Sequence, residues 1–223
     1  MTDGFEPNEP FLDQFSPQLI TPNLYHADGQ IKEEVYVYGS FLQSKMYQSQ
    51  VNCLDCHDKH TYTLKVEGNA LCLQCHSALV FDTAKHHGHK KGNTGAQCVN
   101  CHMPETRYMG VDDRRDYSFS IPRPHLSAEF NTPNACSTCH QSSSYETLSS
   151  AIKTWHGEPK KIADNQYNLI KLNAGQAITL AQHLAIIADE TINVINRATA
   201  LAAQLRCFRE IVFRSTLLIR SHY

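Results

Sequence analysis

Long apolar runs are missing from this 223-residue chain. No window approaches the ~18 consecutive apolar residues of a membrane-spanning helix, which excludes a helical span. A basic excess is missing too. Twenty Lys and Arg stand against 22 Asp and Glu, for a formal net charge of -2, which removes the electrostatic footprint of a nucleic-acid binder. The opening stretch, MTDGFEPNEPFLDQF, has no basic flank followed by an apolar core and does not read as a secretory signal. No strand–helix–strand pattern surrounds any cysteine pair, and a thioredoxin-like dithiol needs that setting. Hydrophobic residues make up 41%, a little under the usual globular share. What the chain has in excess is 13 His and 9 Cys. That composition points to metal or cofactor ligation, or to disulfides.

The cysteines share one spelling. CLDCH covers Cys53 to His57, CLQCH covers Cys72 to His76, CVNCH covers Cys98 to His102 and CSTCH covers Cys136 to His140. Eight of the nine cysteines are used, leaving Cys207. C-x-x-C-H is the attachment signature of c-type haem. Each thiol adds to one vinyl group of the porphyrin, the two intervening residues let both sulfurs reach one ring edge, and the adjacent imidazole becomes the proximal iron ligand. The expected cofactor is therefore haem c, four per chain. It is attached through Cys53, Cys56, Cys72, Cys75, Cys98, Cys101, Cys136 and Cys139, with His57, His76, His102 and His140 on the irons. Two other readings compete. Cys53, Cys56, Cys72 and Cys75 have zinc-ribbon spacing, and eight cysteines could form disulfides. Neither gives a reason for a histidine after every pair.

Electron-transfer haems usually take a second axial ligand. His26, His60, His86, His89 and His125 are the candidates. His86 and His89 stand out in HHGH, because a three-residue spacing can aim two imidazoles at different irons. For each single histidine a solvated loop position is the plain alternative. Met46, Met103 and Met109 are minor thioether candidates, since methionine more often fills packing gaps. His156 stays open, and His183 and His222 read as surface residues of a helical tail.

The expected fold is mainly α with extensive loop. Residues 1–50 form an N-terminal segment that includes a strand-like alternation over Glu33 to Phe41. Residues 51–158 form the haem domain, short helices wrapped around macrocycles that supply the core this polar region lacks. Residues 159–223 form a helical, solenoid-like segment. One apolar stripe there is Ile178, Ala181, Leu184, Ala185 and Ala188. Another is Ile192, Ile195, Ala198, Leu201, Ala202 and Leu205, and a third helix is expected from Phe208 to Ile219. Asp189 and Glu190 suit a helix start. Cys207 reads as a buried apolar residue.

The stretches LYHADGQIKEEVYVYGSFLQSKMYQ, CLDCHDKH, GNALCLQCH, GAQCVNCHMP, YMGVDDRRDYSFSIPRPHLS, TPNACSTCH and INRATALAAQL carry a resemblance. The chain resembles bacterial multihaem c-type cytochromes whose haem domain is followed by HEAT-like or tetratricopeptide repeats. The resemblance implies a periplasmic or exported redox protein. It also implies further haem motifs upstream and more helical repeats downstream, so the sequence looks like a truncated or internal piece. Family members usually have His where this chain has Tyr117.

The leading functional expectation is electron carriage between redox partner proteins, with the helical tail as a possible docking face. Arg114, Arg115 and Arg123 could neutralise haem propionates. A second reading is an oxidoreductase acting on a small nitrogen or sulfur compound at a five-coordinate haem. A third is a zinc-binding or interaction module.

Overall fold

A computed structural model describes Glu6 and residues 8–220 of the protein. It is mainly helical, with extensive loop and one small sheet. The first half is built of single helical turns. These are α1 (Phe11–Gln14), α2 (Val37–Phe41), α3 (Lys45–Gln48), α4 (Cys53–Cys56), α5 (Asn69–Cys72), α6 (Ala78–Phe81), α7 (Ala84–His87) and α8 (Cys98–His102). An antiparallel hairpin follows, β1 (Glu105–Tyr108) paired with β2 (Asp112–Arg115), with Glu105 opposite Arg115 and Tyr108 opposite Asp112. Its turn runs through Met109 and Gly110, both at positive φ. The second half has longer helices: α9 (Pro124–Phe130), α10 (Tyr145–His156), α11 (Asp164–Asn173), α12 (Leu180–Ala188) and α13 (Val194–Arg220).

Two apolar clusters hold the frame. Ile20, Tyr25, Ile31, Val35 and Leu42 of the N-terminal segment pack with Tyr108 of β1 and Ile195 of α13. Leu169, Ile186, Ile192 and Ala200 pack α11, α12 and α13 together. Polar ties join the ends of the chain. The Thr199 hydroxyl accepts from Ile20 N–H at 3.0 Å, and the Asn193 side chain donates to the Gln43 carbonyl at 3.0 Å. The tail thus packs directly against the N-terminal segment.

Asp116 is the buried polar centre of this frame. Its carboxylate accepts from Ile31 N–H at 3.0 Å, from Ser118 N–H at 2.8 Å and from the Ser40 hydroxyl. This knot accounts for a correction. The alternation over Glu33–Phe41 reads as strand, yet Val37–Phe41 is a helical turn. Curling the chain delivers Ser40 to Asp116 and lays Gly39 against Tyr25, whose hydroxyl would stand 2.6 Å from a Cβ at that position. A tertiary hydrogen bond outweighs a strand propensity of under ~1 kcal/mol.

The tail departs from expectation in four ways. The break before Phe208 is absent, because α13 continues through it to Arg220. The buried face of α12 is His183 and Ile186, not Ala181, Leu184 and Ala188, and Leu201 and Leu205 of the second stripe are exposed. Apolar and small residues dominate every face of the stretch from Ile178 to Ala188, so the pattern fixes no phase there. His183 is buried, with Nε2 2.7 Å from the Ala200 carbonyl, and is not a surface residue. Cys207 is exposed rather than buried. His222 lies outside the described residues.

Removing the Asp116 carboxylate strands Ile31 N–H and the Ser40 hydroxyl in the interior. Asp116→Ala should lower the unfolding free energy by about 2–4 kcal/mol, and Ser40→Ala by about 1 kcal/mol. Chemical denaturation of the fully matured protein measures both. A change within about 0.5 kcal/mol for Asp116→Ala would contradict this account.

Candidate functional site

Each C-x-x-C-H motif lies in or at the end of a helical turn with its own anchor. In α4 the Asn52 side-chain Oδ1 accepts from Leu54 N–H at 2.9 Å, while the Asp55 carboxylate accepts from Asn52 N–H at 2.8 Å, a closed capping box. His57 follows in extended conformation, and its Nδ1 lies 2.9 Å from the Tyr62 carbonyl. The second motif starts at the last residue of α5, and the third fills α8. His102 Nδ1 lies 2.9 Å from the Ser120 carbonyl. The fourth begins in a 3-10 turn, Ala135–Thr138, capped by Asn134, whose oxygen accepts from Cys136 N–H at 2.9 Å. For His57 and His102, Nδ1–H donates to the carbonyl, which leaves the Nε2 lone pair free to bind a metal.

Two further imidazoles face motif histidines. His86 and His102 have ring centroids 6.1 Å apart with planes 19° from parallel. His89 and His140 have centroids 6.1 Å apart at 38°. A first-row metal binds an imidazole nitrogen at about 2 Å, so two imidazoles on opposite sides of one metal stand with centroids about 6 Å apart. The HHGH turn makes both pairings from one short element. His86 lies in α7, Gly88 at φ +69 ends it, and His89 leaves in a new direction. Burial, then the neighbouring His102, lowers the pKa of His86, so the ring stays neutral and able to ligate.

The four motifs form a chain of contacts. Cys56 and Cys75 are close enough to influence each other's ionisation, Cys72 and Cys98 are hydrogen-bonded, and Cys101 neighbours Cys136. Burial raises the pKa of Cys56, Cys98, Cys101 and Cys136, and pushes Cys72 up to about 11. Burial thus disfavours the thiolate at these five positions in the free polypeptide.

Covalent haem fits these residues. Between residues 51 and 145 the buried hydrophobic side chains are few: Ala96, Tyr108, Leu126 and Phe130. Around the motifs Leu54, Tyr62, Leu64, Leu79 and Val80 are exposed, Leu79 at 90%. That apolar surface, beside free thiols and paired imidazoles, matches a large apolar macrocycle. Among the described residues no three His, Cys, Asp or Glu side chains gather in the geometry of a metal-ion site.

The other expected residues lie apart. His26 sits in the N-terminal segment, its pKa lowered by burial, with Asp28, Lys32 and Asp116 as its charged neighbours. His60 is exposed, its backbone N–H donating to Asp58. His125 is exposed on α9 beside Arg123 and Glu129. Met109 is 69% exposed at the hairpin turn. Tyr117 is half-buried beside Cys53 and Cys56, and burial raises its pKa. Of the three arginines, Arg114 pairs with Asp112 and Glu34, and Arg115 with Glu105. Arg123 has no ion pair among the described residues, and burial lowers its pKa.

Sequence reasoning missed Asn69, Trp155 and the hairpin. Asn69 locks two motifs together. Its oxygen accepts from Cys98 N–H at 2.9 Å, and its nitrogen donates to the Ala96 carbonyl at 2.8 Å. Its place just before CLQCH was the available signal, but an asparagine next to a glycine reads equally well as an ordinary turn.

Two family models match. The doubled CXXCH motif covers residues 46–81, and cytochrome c552 covers residues 80–207. No curated protein matches the chain. Among solved structures the chain is similar to the outer cell wall cytochrome OcwA, at 19% identity and a TM-score of 0.40, over 81% of this chain and 51% of that one. The chain thus spans about half the length of that cytochrome.

Asn69→Ala strands one buried donor and one acceptor between the second and third motifs. It should cost about 1–3 kcal/mol of stability without removing either attachment site. Denaturation midpoint and haem content of the variant check the two halves of that statement.

Proposed function

The chain belongs to the cytochrome c552 family, and on that premise we propose that it is an electron carrier holding four haems c in one contiguous row. The observation that carries this reading is the pair of 6.1 Å imidazole centroid separations, His86 to His102 and His89 to His140, each involving a C-x-x-C-H histidine. When bound, haem supplies a one-electron ferric–ferrous couple. The protein's part is to anchor, orient and shield. Cys53/Cys56, Cys72/Cys75, Cys98/Cys101 and Cys136/Cys139 form the thioethers. His57, His76, His102 and His140 bind as proximal ligands, and His86 and His89 as distal ligands at the third and fourth motifs. The contacts Cys56–Cys75, Cys72–Cys98 and Cys101–Cys136 support short separations between successive sites. Arg123, half-buried and without an ion pair among the described residues, suits a propionate.

Haem c is attached to reduced C-x-x-C thiols by dedicated machinery that works on exported chains, so we place the protein outside the cytosol, in periplasm or beyond. Among the described residues no helix is long and apolar enough to cross a membrane. Its partners in this reading are other redox proteins.

One observation favours a second reading, in which the first motif takes a small exogenous ligand. Tyr117, not a histidine, lies beside Cys53 and Cys56. Among the described residues no imidazole ring contact faces His57 as His86 faces His102.

Intact-mass measurement of the chain, exported and matured with the cytochrome c machinery, tests the count. The expected result is a mass increase of four haems, falling to three in Cys98→Ser/Cys101→Ser. Reduced spectra with low-spin bands from every haem support carriage alone. A high-spin fraction that binds cyanide and grows no further in His57→Ala supports the second reading. A mass equal to the bare polypeptide overturns both.

A further inference from the structure

The last two residues of α10 meet His86 and His89, two of the three histidines of the HHGH turn. Trp155, the chain's one tryptophan, lies against Gly88 so closely that a Cβ there would come within 2.4 Å of the indole ring. The same indole meets the His89 ring at 5.8 Å and 67°, edge to face. Gly95 also lies against the His89 ring, where a Cβ would stand 2.4 Å from the imidazole. His89 Nδ1 is fixed by the His87 carbonyl. The next residue of α10, His156, meets the His86 ring at 5.8 Å and 71°.

Helix α10 is anchored at its start and packs against α9. Ser144 caps its first turn, accepting from Thr147 N–H at 3.2 Å, and Leu148 is buried. Its C-terminus reaches α7 and carries Trp155 and His156 there in sequence. A free imidazole swings between staggered rotamers at little cost. An axial ligand must hold one of them, and neighbours that lock the ring improve the ligand as second-sphere groups do at other metal sites. A broad flat indole on one glycine and a second glycine against the ring supply such a lock for His89.

We propose that the C-terminal end of α10 is a brace for the distal histidines, and that Trp155 is the positioning residue that keeps His89 directed at His140. The proposal rests on the reading of His89 as a distal ligand. It explains two glycines together. Gly88 admits the indole at a left-handed turn, and Gly95 admits the imidazole. Larger residues at either position displace the ring that the brace holds.

The test uses the fully matured protein and counts carbon monoxide-binding haems per chain in the reduced state, together with the high-spin signal of the oxidised state. Trp155→Ala should add one carbon monoxide-binding, high-spin haem per chain over the parent while the covalent haem count stays the same. Gly95→Ala should do the same by pushing His89 aside, and Trp155→Phe should stay close to the parent because a flat ring remains. His89→Ala separates the two layers of the argument. If His89→Ala adds one such haem but Trp155→Ala and Gly95→Ala do not, the brace is wrong and the ligand reading stands. If His89→Ala adds none, the ligand reading itself fails and the brace fails with it. Should Trp155→Ala not mature, Gly95→Ala and Trp155→Phe decide, and a parent-like Gly95→Ala overturns the proposal.

Discussion

The spacing of two imidazole pairs, His86 with His102 and His89 with His140, is the geometric feature on which the proposed haem sites rest. In that proposal His102 and His140 follow their thiol pairs directly, and their partners come from a separate element. The HHGH turn supplies both partners with four residues, bending at Gly88 so that His86 and His89 face different motifs. The caps at Asn52 and Asn134 and the Asn69 tie between α5 and α8 hold the motif turns themselves in place.

The distribution of apolar side chains fits the same proposal. The N-terminal segment and the tail share cores of ordinary kind, closed by Tyr25, Ile31, Ile195 and Ile186. The motif region between them contributes only Tyr108 to those clusters and exposes Leu79, Leu64 and Tyr62. A polypeptide that leaves such residues uncovered depends on something else for its interior. Porphyrins bound through thioethers provide apolar area and covalent cross-links at once, as disulfides and metals do in other domains with small cores. The frame around Asp116 then holds the hairpin, and with it Tyr117 and Ser120, at the edge of the haem-binding region.

The candidate site was more legible than the fold. C-x-x-C-H repeated four times names its own chemistry, because no other use of paired thiols needs the adjacent histidine. The spacing in HHGH suggested two differently directed ligands, and in the structure the two rings face different motif histidines. The contribution of Trp155 was not legible, since it comes from α10, more than fifty residues downstream of the rings it touches. Helical tail residues were recognised as helical, but their buried face was not, because His183 and Ala200 pack through a hydrogen bond that hydrophobic periodicity does not register. Val37–Phe41 was misread for a related reason: Ser40 turns toward Asp116, seventy-six residues away.

Anomalous diffraction at the iron edge from crystals of the matured protein addresses the central claim most directly. The account predicts iron between His86 and His102 and between His89 and His140, each beside its pair of thioether-bonded cysteines. Iron bound to His102 and His140 with His86 and His89 turned away, or a zinc edge at Cys53, Cys56, Cys72 and Cys75, would contradict it.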